Sequence, residues 1–223
     1  MVPVNIRIAD QVRRIYLAGR NDLDVLKDIV INQEYALPNG LLPVTILDLG
    51  AHIGIASVFM ATVCPGAQIV AVEANPAVLD QLRRNVEPLG VTVIHAAVND
   101  RSGITSFFGG RATWGASLVR RDASEIESRV DARTLPELLE SLGGHADLMK
   151  IDVEGAEWRV LAGGFPPHIG ALVGEAHRMD GRPPSEFLAR FALQSELRLV
   201  SGDDDRAVFW AIRTPSEQSG ERE

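Results

Sequence analysis

The run Ile46-Leu47-Asp48-Leu49-Gly50-Ala51-His52-Ile53-Gly54 constrains this chain more than any other stretch. Its apolar residues, bounded by Pro43 and Gly50, suit a parallel strand covered on both faces, running into a glycine-rich turn and the start of a helix. The spacing is Asp-x-Gly-x-x-x-Gly. It differs from the Gly-x-Gly-x-x-Gly of dinucleotide sites and from the Gly-Lys-Ser/Thr of a P-loop. A turn without a phosphate-gripping lysine suits a ligand that carries no phosphate, and Gly54 lets the following helix approach the backbone closely.

A second strand, Gln68 to Glu73, also ends in an acid, followed by Asn75 as a helix cap and Pro76 at the first helical position. An acid at that point can accept both hydroxyls of a ribose. Strands at 44–49, 68–73, 91–96, 147–152 and 170–176 alternate with helical patterns, which predicts a parallel sheet with helices on both faces. Two more, near 196–201 and 206–213, are joined by Gly202-Asp203-Asp204-Asp205, a connection so short that the pair must be antiparallel. Thr134-Leu135-Pro136-Glu137 has the capping-box pattern, and Gly143-Gly144 closes its helix. Leu23, Leu26 and Val30 recur at helical spacing, so residues 1–43 are expected to form one or two helices, a cap or lid ahead of a domain at 44–213. Residues 214–223 are polar and read as a disordered tail.

The two strand ends resemble the S-adenosylmethionine (SAM) site of Rossmann-like methyltransferases, in which the glycine turn lies under the amino-acid part and the second acid holds the ribose. Lys150-Ile151-Asp152-Val153-Glu154-Gly155-Ala156-Glu157 and Val173-Gly174-Glu175-Ala176-His177, with the Asp-Leu-Gly-Ala-x-x-Gly turn, narrow this to a resemblance to the FkbM-type methyltransferases over roughly Tyr35 to Arg213. The resemblance implies an α/β, Rossmann-like class I fold with a mostly parallel seven-stranded sheet and a C-terminal antiparallel strand. It implies SAM as cofactor and S-adenosylhomocysteine (SAH) as product, held by Asp48, Gly50, Ala51, His52, Gly54, Glu73, Ala74, Asn99 and Asp152. Asn99 or its neighbour Asp100 would meet the adenine amino group, although either can equally start the next turn. The implied reaction is O-methylation of a hydroxyl on a natural product or sugar, with N-methylation as the nearest variant. A nicotinamide-dependent oxidoreductase is disfavoured by the glycine spacing, and a non-catalytic SAM-binding module remains the alternative from another class.

Methyl transfer from a sulfonium to an alcohol is an in-line displacement that needs a fixed oxygen and a path for its proton. His177 is the expected base, because its ordinary pKa suits neutral pH and it shares a strand face with Glu175. Lys150 and Asp152 share a face in the same way and read as an orienting pair, with simple structural salt bridging as the alternative. A divalent cation on Asp152, Glu175 and His177 is conceivable, yet the ligand set is incomplete and no metal is expected to be required. Tyr35, Trp114, Ser117 and Glu154 are the expected substrate-pocket residues. Tyr35 would serve as an aromatic wall for the adenosine, or simply pack.

Composition sets the outer bounds. A chain of 223 residues, 46% hydrophobic, suits one domain with a sizeable core. A formal charge of -8 without a Lys/Arg cluster lacks the footprint of a nucleic-acid binder. Lysine occurs only as Lys27 and Lys150, and Cys64 is alone, so no intrachain disulfide can form. The start shows no basic segment followed by an apolar one, and no run approaches a membrane span, so a soluble cytoplasmic protein without membrane partners is expected. Neither the acceptor nor the oligomeric state is legible.

Overall fold

A computed structural model describes residues 1–109, 118 and 126–214. The chain opens with an antiparallel hairpin of β1 (Val2–Ile8) and β2 (Gln11–Leu17), followed by α1 (Arg20–Leu26), which continues into a wider-wound turn over Lys27–Ile31. The expectation of helices throughout residues 1–43 is therefore corrected for 2–17. There Val4, Ile6 and Ile8 follow a period of two, and Ile8, Ile15 and Leu17 are buried against the domain.

The domain proper alternates as expected: β3 (Thr45–Leu49), α2 (Ile55–Val63), β4 (Gln68–Glu73), α3 (Leu79–Val86) and β5 (Thr92–His95). A short β6 (Ala97–Val98) leaves the main sheet and pairs with β8 (Ile126–Arg133), itself paired with β7 (Gly103–Gly109). The chain returns through α4 (Leu135–Leu139), β9 (Ala146–Ile151), α5 (Glu157–Val160), β10 (Ile169–His177), α6 (Pro184–Leu188), β11 (Ser195–Gly202) and β12 (Arg206–Arg213). The capping box at Thr134 and Glu137 is present. No described helix is long and apolar enough to cross a membrane.

The seven-stranded sheet has the order β11-β12-β10-β9-β3-β4-β5, with β12 antiparallel to both of its neighbours and the pairs from β10 to β5 parallel. The chain runs outward from β3 to β5 and then crosses back to β9, so the order reverses beside β3, where open sheets of this kind form a ligand crevice. Alternate strand residues feed two cores. Ile46, Ile69, Leu148 and Val173 pack under α2, α3 and the hairpin, while Leu47, Val70, Met149 and Leu172 pack under α4, α5 and α6. On the second face Phe187 meets Phe191 edge-on with ring centroids 5.1 Å apart.

The hairpin docks on α3 through polar groups. Asn85 accepts from Tyr16 N at 2.7 Å and donates to Ile53 O at 2.8 Å, and Gln81 donates to Asp22 at 2.6 Å and to Tyr16 O at 2.9 Å. Buried amides that are hydrogen-bonded across the contact fix a register that apolar packing alone leaves loose.

Candidate functional site

The crevice is a cavity of about 390 Å³ at the carboxyl ends of β3, β4, β9 and β10. Its floor is the glycine turn. Gly50 has φ of 74°, and a Cβ there would lie 1.8 Å from Asp152 O, so only glycine lets β3 end this close to β9. Gly54, at φ of 87°, is tight for a different reason: a Cβ would meet Val86 Cγ1 at 2.4 Å, so the helix that approaches it is α3 and not the following α2. Gly54 does not line the cavity, and neither does Asp48.

Asp48 is fully buried, accepts from Ser57 Oγ at 2.6 Å and lies 3.2 Å from Lys150 Nζ. Lys150 also donates to Gly50 O at 2.6 Å. Burial opposes its charge, but Asp48 and Asp152 outweigh that and raise its pKa. Lys150 and Asp152 thus influence each other's charge, but the direct ion pair of Lys150 is with Asp48. The ammonium is directed to Asp48 and the backbone of the turn, where it neutralises an acid that would otherwise be buried alone. Asp48 and Gly54 support the turn from behind, outside the cavity lining.

Ala51, His52, Glu73 and Ala74 do line the cavity. Glu73 Oε2 accepts from His52 N at 2.7 Å and Oε1 from Asn75 N at 2.6 Å, which aims the carboxylate at the end of β4. Burial raises its pKa, and the two backbone N–H groups only partly offset this. Burial likewise lowers the pKa of His52, and its Nε2 is buried without a hydrogen-bond partner. Beyond Glu73 the wall turns apolar, with Ala96, Ala97, Val98, Phe107 and Leu118. Asn99 is not part of it: its side chain accepts from Asp100 N at 3.0 Å, which is the turn-starting alternative. Trp114 and Ser117 lie outside the described residues.

At the opposite end, the Tyr35 hydroxyl reaches Asp152 Oδ2 at 3.1 Å and Glu175 Oε1 at 3.2 Å. Burial, then Asp152 and Glu175, push the phenol well above its ordinary pKa, so it remains a donor. Tyr35 lines the cavity, and its hydroxyl sits between two carboxylates. Burial works against ionised Asp152, yet Lys150 and His177 prevail and lower its pKa. Glu154 is also on the wall, held at φ of 55° in the Glu-Gly turn after β9.

His177 is displaced from the role expected of it. It does not line the cavity; Nδ1 faces Glu157 Oε1 at 3.0 Å, and Nε2 lies 3.5 Å from Glu175 and 3.7 Å from Glu154. Burial alone would favour the neutral ring, but the contacts with Glu157 and Glu175 dominate and push its pKa up to about 11. These carboxylates favour the protonated ring, which works against a base role for His177. Asp152, Glu157 and His177 bring one donor atom each within 4.8 Å of one another, a grouping that would hold a cation only with the His177 ring neutral. That set contains Glu157 in place of the expected Glu175.

Sequence reasoning passed over Glu157, which is wholly buried and also accepts from Val153 N at 3.0 Å. It also passed over Arg206, Glu34 and the face carrying Asn21 and Asp24 of α1 and Asp28 of the turn that continues it. Arg206 opens β12 opposite His177, a register that only the strand order reveals.

Residues 48–179 match the Methyltransferase FkbM domain, more than half of the chain and all of the turns just described. The chain belongs to the FkbM methyltransferase family. This FkbM-family chain is 27% identical over 247 residues to the AMB antimetabolite synthetase AmbE of Pseudomonas aeruginosa, covering 85% of the chain but only 11% of that far longer protein. Among solved structures, yhhF of Escherichia coli, described as a methyltransferase, is similar at a TM-score of 0.50 and 12% identity, with 95% of this chain and all of that one covered. The precorrin-6y C5,15-methyltransferase of Geobacter metallireducens is similar at a TM-score of 0.47 and 15% identity, covering 89% and 90% of the two chains. The fold is that of the Rossmann-like SAM-dependent methyltransferases.

Proposed function

We propose that this FkbM-family domain transfers the methyl group of SAM to a hydroxyl of a small natural product or sugar. Glu73 would accept the ribose hydroxyls, the apolar wall of Ala96 to Val98 with Phe107 would take the adenine, and the turn at Gly50 to His52 would carry the amino-acid part. The observation that carries the acceptor reading is the Tyr35 hydroxyl, which marks a point where one O–H group reaches both Asp152 and Glu175.

An acceptor hydroxyl placed beside that point donates to the same carboxylates. Its oxygen attacks the methyl carbon, the S–CH₃ bond breaks with its electron pair left on sulfur, and SAH departs as a neutral thioether. The hydroxyl proton passes to the Asp152–Glu175 pair and on to solvent. Tyr35, which stays protonated, orients the pair. The His177 imidazolium supplies positive charge behind it, so the reading calls for no metal. Residues 1–43 act as a cap over the cofactor, with α1 forming part of the wall. Cys64, buried as a small apolar side chain, fits a reducing compartment, and the reading places the reaction in the cytoplasm.

Calorimetry with SAM, SAH and NAD on the wild-type chain tests the cofactor, and SAH release with a panel of hydroxylated and amino acceptors tests the reaction. Binding of SAM and SAH but not NAD, with turnover of hydroxyl acceptors, is the expected result. Turnover confined to amines would move the reading to N-methylation, and binding without any turnover would move it to a non-catalytic module.

A further inference from the structure

Arg206 touches both sides of the acceptor end. Its Nε lies 2.7 Å from Glu175 Oε2, and its Nη2 donates to both oxygens of Glu34 at 3.0 Å. Glu34 precedes Tyr35 on the stretch that follows α1, whereas Glu175 belongs to β10. Residues 34–35 are therefore fastened twice, at one carboxylate by the guanidinium and at the neighbouring phenol by Asp152 and Glu175.

We infer that Arg206 is a positioning residue for methyl transfer, one that turns Glu175 toward the Tyr35 hydroxyl and couples that carboxylate to the docking of residues 20–35 over the cavity. The inference rests on the transfer proposed above. With Arg206 on Oε2, the direction of Glu175 Oε1 is set, and it is Oε1 that meets the phenol. A planar guanidinium can serve two carboxylates on different elements at once, which a lysine point charge cannot do with the same geometry. Removing it would leave Glu34, Asp152 and Glu175 facing one another as like charges across the mouth, and they would spread. The Arg206 side chain is 43% exposed, so its ion pairs add little to the stability of the fold. Its contribution is geometry.

The test compares Arg206→Ala, Arg206→Lys and Glu34→Gln with the wild type, each first checked for an unchanged melting temperature and for SAH affinity by calorimetry. In Arg206→Ala, kcat should fall roughly 10- to 100-fold, as displaced catalytic groups do, while SAH affinity stays within about threefold. Millimolar guanidinium should restore part of the lost kcat, Arg206→Lys should restore less than half, and Glu34→Gln added to Arg206→Ala should cost nothing further. Amide hydrogen exchange over residues 20–35 in the SAH complex should quicken in Arg206→Ala. Unchanged kcat, losses that add with no rescue by guanidinium, or unchanged exchange over 20–35 would each overturn the inference. A wild type that fails to bind SAH would instead sink the methyltransferase reading.

Discussion

The end of the cavity proposed for the cofactor and the end proposed for the acceptor are built in opposite ways. At the cofactor end, Glu73 is aimed by backbone N–H groups 2 and 21 residues away. The Gly50 turn is closed by N–H bonds from Gly50 and Ala51 to Val72 O, each 3.0 Å. At the acceptor end, side chains meet across separations of 117, 140 and 172 residues, in the contacts of Tyr35 with Asp152 and Glu175 and of Arg206 with Glu34. Backbone donors on strand ends are preorganised by the sheet itself, whereas the side-chain cluster exists only when three distant parts of the chain have docked. The first arrangement suits a ligand that never changes. The second can be re-aimed by a few substitutions to take a different acceptor.

If that contrast is real, damage to the turn should be felt everywhere and damage to the cluster only in turnover. The largest effect is expected for Gly50→Ala, whose new methyl would overlap Asp152 O at a backbone angle that alanine resists. It should destabilise the fold by about 3 kcal/mol or more, visible as a drop in melting temperature and loss of SAH binding. Glu73→Ala should leave the fold in place and weaken SAH about 10- to 100-fold by calorimetry, the contribution of charge-assisted bonds to two hydroxyls. The same carboxyl gives a pH signature. Burial raises its pKa, so the ionised form that accepts from the ribose is present above that raised value and is lost below it. SAH affinity should therefore decline on acidification sooner than an ordinary carboxylate would make it. The smallest of these effects belongs to Tyr35→Phe, which removes one shared hydrogen bond. It should lower kcat by about tenfold with SAH affinity unchanged, and an equal loss of affinity would show that the two ends are not separable.

The same division governs what was legible in the sequence. Asp48-Leu49-Gly50, the acid of Glu73 and the alternation of strands are local patterns, and they gave the sheet, its reversed strand and the place of the cavity. The hairpin at the start was missed because its turn, Ala9-Asp10, has alanine at φ of 48° instead of the Asn-Gly or Asp-Gly that marks such turns. His177 does share a face with Glu175, as the two-residue period requires. Its surroundings, however, are dominated as much by Glu157 at the start of α5, and no spacing rule connects that residue to His177. Arg206 was invisible for a related reason: an arginine after three aspartates reads as a solvated turn until β12 is known to lie against β10.

Helix α3 deserves a last consequence. Its Leu82 and Val86 leave no room for anything but hydrogen at Gly54, and its Gln81 and Asn85 grip the hairpin that leads into α1. One short helix, remote from every reacting atom, is thus the common footing of the floor and the roof of the cavity. A substitution on that helix could retune the enzyme without touching either ligand, because a small tilt would shift both surfaces together.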